Sequence, residues 1–216
     1  MDETKTVWTG DLRREYGKQR LHRSDLLEQP IEQFGHWFEE GKPTVLEPNA
    51  MALATADGEG RPSVRMVLMK AFDSRGVVFA TSYISRKAHE IRDNPYAALL
   101  FYWPVLERQV RMTGTIARTS DEESDEIFNS RHPMSRIAAR VSRQSLEIDS
   151  REELEKAVAE ETERLQGQEI PRPSHWGGYR FFPEEFEFWQ GGANRLHDRF
   201  LYLRNGAGWE IRRLQP

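Results

Sequence analysis

The densest group of side chains able to do chemistry lies in residues 186–200, FEFWQGGANRLHDRF. It combines one aromatic and three basic residues, Trp189, Arg195, His197 and Arg199. Because the three basic residues stand at alternate positions, a β-strand would present them on one face, where they could bind an anion or polarise a substrate. The tryptophan could cover an aromatic ring, and Gly191-Gly192 would let the backbone approach a ligand closely. The alternative is a hairpin with an ordinary charged outer face.

A second candidate site combines a predicted helix start with two cations. Ser85 is a suitable N-cap after the strand VVFATSY, and Arg86 and Lys87 occupy the first turn. The N–H groups at a helix N-terminus carry partial positive charge, so the helix end and both cations would attract a phosphate. Without an anion these cations oppose the helix dipole, and the alternative is a solvated helix start.

Two further cations, Arg65 and Lys70, lie in the predicted strand SVRMVLMKAF. Their offset of five places them on opposite faces of a regular strand, so they would serve different ligands or surfaces. Each stands in an apolar row, where a long cation usually snorkels from an edge and a buried one needs an anionic partner.

The elements that must position these groups are mainly strands. A polar arm over residues 1–28 precedes a single predicted domain over 29–216, which begins with a helix from Pro30 that stops near Gly41. Ser120 with Glu123, and Ser150 with Glu153, have capping-box spacing and predict two helices between the strands. At least five strands are expected, in the segments AMALATA, SVRMVLMKAF, VVFATSY, YAALLFYW, ERQVRMTGTIARTS, GGYRFFPEEFEFWQ and RFLYLRNGAGWEIRRL. This pattern favours an α+β protein, mainly antiparallel, with a closed or split β-barrel.

Composition excludes several kinds of protein. The 216 residues contain no Cys, so disulfides, thiolate metal sites and cysteine nucleophiles are absent. A net charge of -4 argues against nucleic-acid binding, and the six His lack metal-site spacing, so no metal is expected. There is no P-loop, GxGxxG or GxSxG motif. No apolar run is long enough for a membrane span or secretory signal, which predicts a cytoplasmic protein.

The segment EFWQGGANRLHDR, residues 187–199, closely resembles the C-terminal signature of the pyridoxamine 5'-phosphate oxidase family. Other segments with family resemblance are LRREY, RMVLMK, SRKAH, LERQV, VSRQS and WGGYR. The resemblance implies an FMN-binding split barrel with peripheral helices, working as a homodimer with shared active sites. The implied reaction is oxidation of pyridoxamine and pyridoxine 5'-phosphate to pyridoxal 5'-phosphate, with oxygen as acceptor and hydrogen peroxide as product.

The resemblance also assigns roles to individual residues. Arg195 and His197 would be catalytic, and residues 1–28 would form a lid. Gln144 and Ser145 would reach the flavin from the partner subunit. The full cofactor set would be Arg65, Met66, Val67, Lys70, Ala80, Thr81, Arg86, Lys87, Gln109, Gln144, Ser145, Trp189 and Arg199. The substrate set would be Arg13, Arg14, Tyr16, Lys70, Ile127, Arg131, Ser135, Arg195 and His197.

Two positions depart from the family pattern. Ile127 stands where a Tyr of the substrate-phosphate set is expected, and Ala80 replaces a Tyr near the FMN. The first change removes a hydroxyl donor and would weaken substrate binding by about 0.5–1.5 kcal/mol if nothing replaces it. Two alternatives stay open: another split-barrel flavin reductase that uses a nicotinamide or deazaflavin donor, and a non-catalytic carrier of flavin or pyridoxal phosphate.

Overall fold

The computed structural model describes residues 15–17 and 19–216. Within these residues one antiparallel sheet has eight strands in the order β3-β2-β1-β4-β5-β6-β7-β8. The strands are β1 Ala50–Ala56, β2 Pro62–Asp73, β3 Gly76–Ser82, β4 Tyr96–Trp103, β5 Arg108–Arg118, β6 Trp176–Gln190, β7 Asp198–Asn205 and β8 Gly208–Leu214. Each predicted strand segment is therefore confirmed, and the last one divides into a hairpin at Asn205–Gly208.

The sheet closes on itself. Strand β3 pairs with β2 on one side and with β6 on the other, so six strands form a barrel, and β7 and β8 extend it outward from β6. Closure pairs both sides of β3, which would otherwise be an edge strand of the sheet. The α+β split-barrel expectation is thus confirmed.

The core is formed by the inward-facing side chains of the strands and by one helix. Helix α1, Pro30–Gly41, begins at a proline and buries the apolar face expected from its spacing. The Phe34 ring lies 4.8 Å from the Phe101 ring of β4, and Trp37 meets Phe188 of β6 edge to face at 5.2 Å. These contacts fix the helix against the barrel and hold β6 in place.

Strand β6 is long because a local irregularity lets it bend. Pro183 cannot donate a ladder hydrogen bond, and the β5–β6 register shifts between Thr113 and Gly114 beside it. A Cβ on Gly114 would lie 2.0 Å from the carbonyl oxygen of Phe182, which is backbone and cannot move aside cheaply. This position therefore requires glycine.

Gly114→Ala is expected to lower the free energy of unfolding by about 3 kcal/mol, because the added methyl group forces the two strands apart. Denaturant titration of the apoprotein at one protein concentration measures the change. Gly58→Ala is the matched control: its Cβ would meet nothing nearer than the Asp93 Cβ at 3.9 Å, so its cost should stay within about 0.5 kcal/mol. Equal costs for the two variants would contradict this account of the bend.

Four more helices flank the barrel: α2 Arg86–Asp93, α3 Asp121–Asn129, α4 Pro133–Val141 and α5 Arg151–Arg164. Ser120 and Ser150 accept hydrogen bonds from the backbone N–H groups of Glu123 and Glu153, as the capping-box spacing predicted. The prediction of only two helices in this region is wrong, because α4 lies between them. Within the described residues, no helix has the length and apolar character needed to cross a lipid bilayer.

The part of the N-terminal arm that the structure describes is attached to the barrel. Leu21 and Leu26 are buried in the same core as α1, and the Leu21 N–H donates to Asp198 Oδ2 at 3.1 Å. The Tyr202 hydroxyl donates to the carbonyl oxygen of Leu27 at 2.8 Å. These contacts attach residues 21–27, which lie in the predicted arm, to the domain.

Candidate active site

A buried ammonium group marks the first part of the site, at the start of α2. Lys87 Nζ lies 3.2 Å from Thr81 Oγ1, 3.4 Å from Ser85 Oγ and 3.1 Å from Gln144 Oε1. Burial, with the nearby Arg65 charge, lowers the pKa of Lys87 to about 8, although Glu90 opposes this shift. We call Arg65, Thr81, Arg86, Lys87, Gln144 and Ser145 the phosphate cluster. Among the described residues, its buried cation hydrogen-bonds only to neutral oxygens, a setting that favours an anionic ligand.

Glu90 orients the two arginines of the phosphate cluster. Its carboxylate lies 3.0 Å from Arg65 Nη2 and 2.8 Å from Arg86 Nε, and its side chain is 5% exposed. Burial alone would raise the pKa of Glu90, but hydrogen bonds from Ser63, Thr55 and the two arginines lower it to about 2. The carboxylate is therefore ionised at neutral pH and holds both guanidinium groups in place.

Gln144 and Ser145, which were predicted to reach the flavin from the partner subunit, contact the phosphate cluster of their own chain. Gln144 Oε1 accepts from Thr81 Oγ1 at 2.8 Å, and Ser145 Oγ accepts from the backbone N–H of Arg86 at 3.2 Å. Ser145 has a left-handed backbone, φ 76°, which is uncommon for a residue with a side chain. The segment after α4 thus returns to the first turn of α2 within one chain.

A cavity of about 250 Å³ adjoins the phosphate cluster. It shares Thr81 and Gln144 with that cluster, and Ala80, Trp176 and Arg131 also line it. The Arg131 guanidinium lies 4.9 Å from the Trp176 ring centroid, and its Nε is buried without a hydrogen-bond partner. Such an atom fits a ligand that brings an acceptor.

Lys70 supplies a second charge near this cavity. The β2–β3 register shifts between Met69 and Ala71, so Lys70 lies at a bulge, where a side chain can be redirected. Burial and the Arg131 charge lower the pKa of Lys70. Arg65 contacts the buried Glu90 while Lys70 is more exposed, and it stays a prediction that the two cations serve different ligands or surfaces.

The remaining predicted substrate and cofactor residues in this region are uncharged. Ser135 offers its carbonyl oxygen to Arg131 Nη2 at 3.0 Å. Ile127 and Ala80 both pack against the buried cluster of Phe128, Ala139 and Trp176, so the two departures from the family pattern adjoin the same apolar patch. Met66 is exposed and Val67 packs on the core.

The motif of residues 186–200 folds differently from the prediction. A single strand carrying Arg195, His197 and Arg199 on one face is wrong, because a 3-10 turn at Ala193–Arg195 precedes β7. Asn194 and Arg195 are both left-handed, with φ 55° and 64°. A Cβ on Gly192 would lie 2.1 Å from the Leu196 carbonyl oxygen, so the chain folds back tightly here. The turn still brings His197 to Trp189, with ring centroids 4.6 Å apart.

The tautomer of His197 follows from one backbone contact. The Gly192 N–H donates to His197 Nδ1 at 3.1 Å, so Nδ1 carries a lone pair and the neutral ring holds its proton on Nε2. Burial lowers the pKa of His197, and the charges of Arg195 and Arg199 lower it further. At neutral pH this side chain is therefore a neutral donor through Nε2–H.

Arg199 lies in a second cavity, of about 300 Å³, with Gln109 and Trp189. Its Nε is 2.7 Å from Glu187 Oε1, and the other Glu187 oxygen lies 2.5 Å from Arg111 Nη2. Ion pairing with Glu187 raises the pKa of Arg199. We call Gln109, Trp189, Arg195, His197 and Arg199 the motif cluster.

Tyr16 lies against the motif cluster. Its ring meets Trp189 and His197 edge to face, at 5.7 and 5.8 Å between centroids. Its predicted companions Arg13 and Arg14 lie outside the described residues.

The structure separates the predicted cofactor residues into two groups within one chain. Thr81 pairs with Gly177 near one end of β6, and Gln109 pairs with Trp189 at the other end. The twelve residue steps from Gly177 to Trp189 correspond to about 40 Å measured along the strand. One chain therefore keeps its phosphate cluster and its motif cluster apart.

Sequence reasoning missed the two buried carboxylates that orient the arginines. Arg86 and Glu90 have helical i, i+4 spacing, which was a readable signal. The sequence contains no comparable signal for Glu187, because its partner Arg111 is identified only from the β5–β6 register. Among the described residues, no group of three or more His, Cys, Asp or Glu side chains could hold a metal ion.

Comparison with known proteins agrees with the split-barrel class. A family model described as "Pyridoxamine 5'-phosphate oxidase" matches residues 38–164, and one described as "Pyridoxine 5'-phosphate oxidase C-terminal dimerisation region" matches 176–216. The chain belongs to the pyridoxamine 5'-phosphate oxidase family.

Several full-length relatives support this membership. A pyridoxine/pyridoxamine 5'-phosphate oxidase of Rubrobacter xylanophilus is 56% identical over 206 residues, covering 95% of each chain. One of Nostoc punctiforme is 50% identical over 218 residues, covering 100% of both. The solved structure of PhzG from Burkholderia lata, with tetrahydrophenazine-1-carboxylic acid, superposes with a TM-score of 0.86 at 35% identity, covering 91% of this chain and 98% of that one.

A more distant structure shares the fold. A pyridoxamine 5'-phosphate oxidase-related, FMN binding protein of Nostoc punctiforme has a TM-score of 0.71 at 18% identity, covering 88% of this chain and 100% of its own.

Proposed function

We propose that this chain is an FMN-dependent oxidase that converts pyridoxamine and pyridoxine 5'-phosphate to pyridoxal 5'-phosphate, with oxygen as acceptor and hydrogen peroxide as product. The observation that carries the proposal is the pair of adjoining cationic sites. Lys87 lies in one and Arg131 in the other, and Thr81 and Gln144 belong to both. Two phosphorylated rings need two such sites side by side.

The phosphate cluster fits the phosphate of FMN. Lys87 is 7% exposed, its hydrogen bonds within the described part of the chain all go to neutral oxygens, and the first turn of α2 contains it. A phosphate dianion would satisfy this ammonium with charge-assisted hydrogen bonds. The cavity of Arg131, with Lys70 near it, would hold the substrate phosphate, and the unpartnered Arg131 Nε supports this assignment.

The proposed active site requires two copies of the chain. The two clusters lie near opposite ends of β6, twelve residue steps or about 40 Å apart measured along the strand. We propose that the phosphate cluster of one protomer meets the motif cluster of its partner in a homodimer. The C-terminal family model, described as a dimerisation region, covers the strands that carry the motif cluster.

An exposed apolar surface supports this dimer. Val64 and Met66 on β2 are 68% and 64% exposed, although they are large and apolar. The register aligns Met66 with Ala52 and Ala52 with Leu100, which lines the motif-cluster cavity. Such a continuous apolar row is typical of a covered interface.

The residues of the motif cluster would act on the substrate ring. When bound, FMN supplies the two-electron acceptor. Arg195 would orient the carbon that carries the amine or alcohol, and His197 would donate its Nε2–H to the substrate as a neutral positioning group. Arg199, held by Glu187, would place a fixed positive charge beside the flavin.

An absorption spectrum followed by an aerobic assay tests the proposed function. The purified protein should be yellow and should release hydrogen peroxide when pyridoxamine 5'-phosphate is added. A yellow protein that releases none would support a carrier, and turnover only with a nicotinamide or deazaflavin donor would support a reductase.

The PhzG structure indicates a second candidate substrate, a reduced tricyclic acid such as the tetrahydrophenazine-1-carboxylic acid bound to that protein. A carboxylate could also pair with Arg131 and Lys70. Two phosphate-sized sites favour the pyridoxine phosphates. The ratio of kcat/KM for pyridoxamine 5'-phosphate to that for a reduced phenazine carboxylate decides between them.

FMN binding should weaken as the pH rises through about 8. The pKa of Lys87 is lowered to about 8, and a bound phosphate favours the protonated ammonium. Above this pH, binding must take up a proton, so affinity should fall up to about tenfold per pH unit. The phosphate stays a dianion throughout, since its second pKa is about 6.

Flavin fluorescence titration of the apoprotein from pH 7 to 9.5 measures this dependence. Riboflavin, which lacks the phosphate, is the control and should show no comparable loss. An FMN dissociation constant that stays constant over this range would contradict the role of Lys87.

A further inference from the structure

Glu107 occupies a strained position between β4 and β5. Its backbone is left-handed, with φ 55°, and it is 3% exposed. Its carbonyl oxygen accepts the Gly191 N–H at 2.7 Å, and Gln190 Nε2 lies 3.3 Å from the same oxygen. A non-glycine residue in this conformation persists only where its surroundings require it. Here the backbone joins the β4–β5 hairpin to the glycine pair of the motif.

The side chain of Glu107 makes a second, long-range contact. Its Oε2 accepts the backbone N–H of Gly17 at 2.9 Å, across 90 positions of sequence. A Cβ on Gly191 would lie 2.9 Å from Tyr16 Cβ and 3.0 Å from Glu107 Cβ. Residues 16 and 17 of the arm, the hairpin and the motif therefore meet at one point, and only glycine leaves room for Tyr16.

The Glu107–Gly17 contact lies next to the Tyr16 ring. Gly17 is the next residue along the chain, and the half-buried Tyr16 ring stands edge-on to Trp189 and His197. Other arm contacts lie further along, at Gln19 with Arg108 and at Leu21 with Asp198. Of the hydrogen bonds among described residues, the one from Gly17 is nearest in sequence to Tyr16.

We propose that Glu107 is a positioning residue that holds Tyr16 against the motif cluster through the Gly17 N–H. The expected change in KM rests on the proposed function. The expected change in amide exchange rests on the Glu107–Gly17 hydrogen bond. Under the proposed function Tyr16 would contact the substrate, and Glu107 would act through it.

Glu107→Ala in the holoenzyme tests the proposal by hydrogen exchange and by kinetics. Removing the acceptor should speed amide exchange in a peptide covering residues 15–20 about tenfold. The KM for pyridoxamine 5'-phosphate should rise about five- to tenfold while kcat changes about twofold or less. In a Tyr16→Ala background, Glu107→Ala should raise KM no further.

Two further variants separate positioning from general stability. Glu107→Gln keeps an oxygen acceptor and should restore slow exchange and most of the KM. Gln19→Ala removes only the contact to Arg108 and should leave both near wild type.

Three results would overturn the proposal: no rescue by Gln, equal effects of Gln19→Ala, or additive effects with Tyr16→Ala. A wild-type enzyme without turnover would refute the proposed function, and the exchange measurement would still decide the role of Glu107.

Discussion

Arg195→Ala is expected to lower kcat for pyridoxamine 5'-phosphate by about 100-fold, because under the proposed function it removes the fixed cation that would meet the reacting part of the substrate. The side chain is exposed on the turn before β7 and lies outside the phosphate cluster, so FMN content should stay near wild type. Stopped-flow reduction of the bound flavin by the substrate measures the effect, with flavin content read from the absorption spectrum.

Two companion variants sharpen this test. Arg195→Lys keeps the charge but loses the planar fork, so its kcat should be intermediate, about tenfold below wild type. Arg212→Ala, on the exposed face of the β8 hairpin, should behave as wild type. Flavin loss as large as the loss of turnover would assign Arg195 to cofactor binding or folding instead.

Lys87→Met is expected to raise the dissociation constant of FMN by about 100-fold, because the buried charge-assisted contacts to the phosphate are lost. Fluorescence titration of the apoprotein measures this. The thermal midpoint of the apoprotein should not fall, since the substitution removes a buried ammonium that burial already disfavours. This opposite behaviour of ligand affinity and stability distinguishes a binding role from a folding role.

Lys156→Met is the matched control for Lys87→Met. Lys156 lies on α5 with its side chain 77% exposed, and its nearest carboxylate is 3.8 Å away. Its loss should change FMN affinity very little. Unchanged FMN affinity in Lys87→Met would remove the basis for placing the phosphate in this cluster.

Local signals in the sequence predicted most elements of the fold. Pro30 and the apolar spacing after it define α1, and Ser120 and Ser150 mark two helix starts that the structure confirms. These signals depend only on neighbours a few residues away. Alternating patterns gave the strands for the same reason.

Helix α4 was missed because its signals are weak. Pro133 lies at its first position, but His132 is an unusual N-cap, whose ring nitrogen accepts the Met134 N–H at 3.3 Å. Only Ile137 and Ala139 are buried on it, so its apolar stripe is short. The helix is held by tertiary contacts, such as Arg140 with Glu161 of α5 at 2.7 Å.

The motif turn could not be predicted from alternation alone. Residues 195–199 alternate basic and other side chains as a strand would, yet Asn194 and Arg195 adopt left-handed conformations. The hydrogen bond from Gly192 to His197 stabilises this turn, and a strand could not form it. Tertiary contacts therefore determine the conformation of this segment, in spite of its strand-like alternation of side chains.

The long-range contacts that assemble the site could not be predicted from local sequence patterns either. Gln144 reaches Lys87 in its own chain across 57 positions, and Glu187 meets Arg111 across 76. Such contacts depend on barrel closure and strand register. The separation of the two clusters along β6 likewise follows only from the register.

Mixing two inactive variants, Lys87→Met and Arg195→Ala, tests most directly whether each active site is built from two copies of the chain. After subunit exchange, half of the dimers are mixed. If the phosphate cluster of one protomer meets the motif cluster of the other, each mixed dimer has one intact site. Turnover per chain should then recover to about a quarter of wild type. Recovery no greater than the summed activities of the two variants would show that both clusters serve one site within a single chain and would contradict the account.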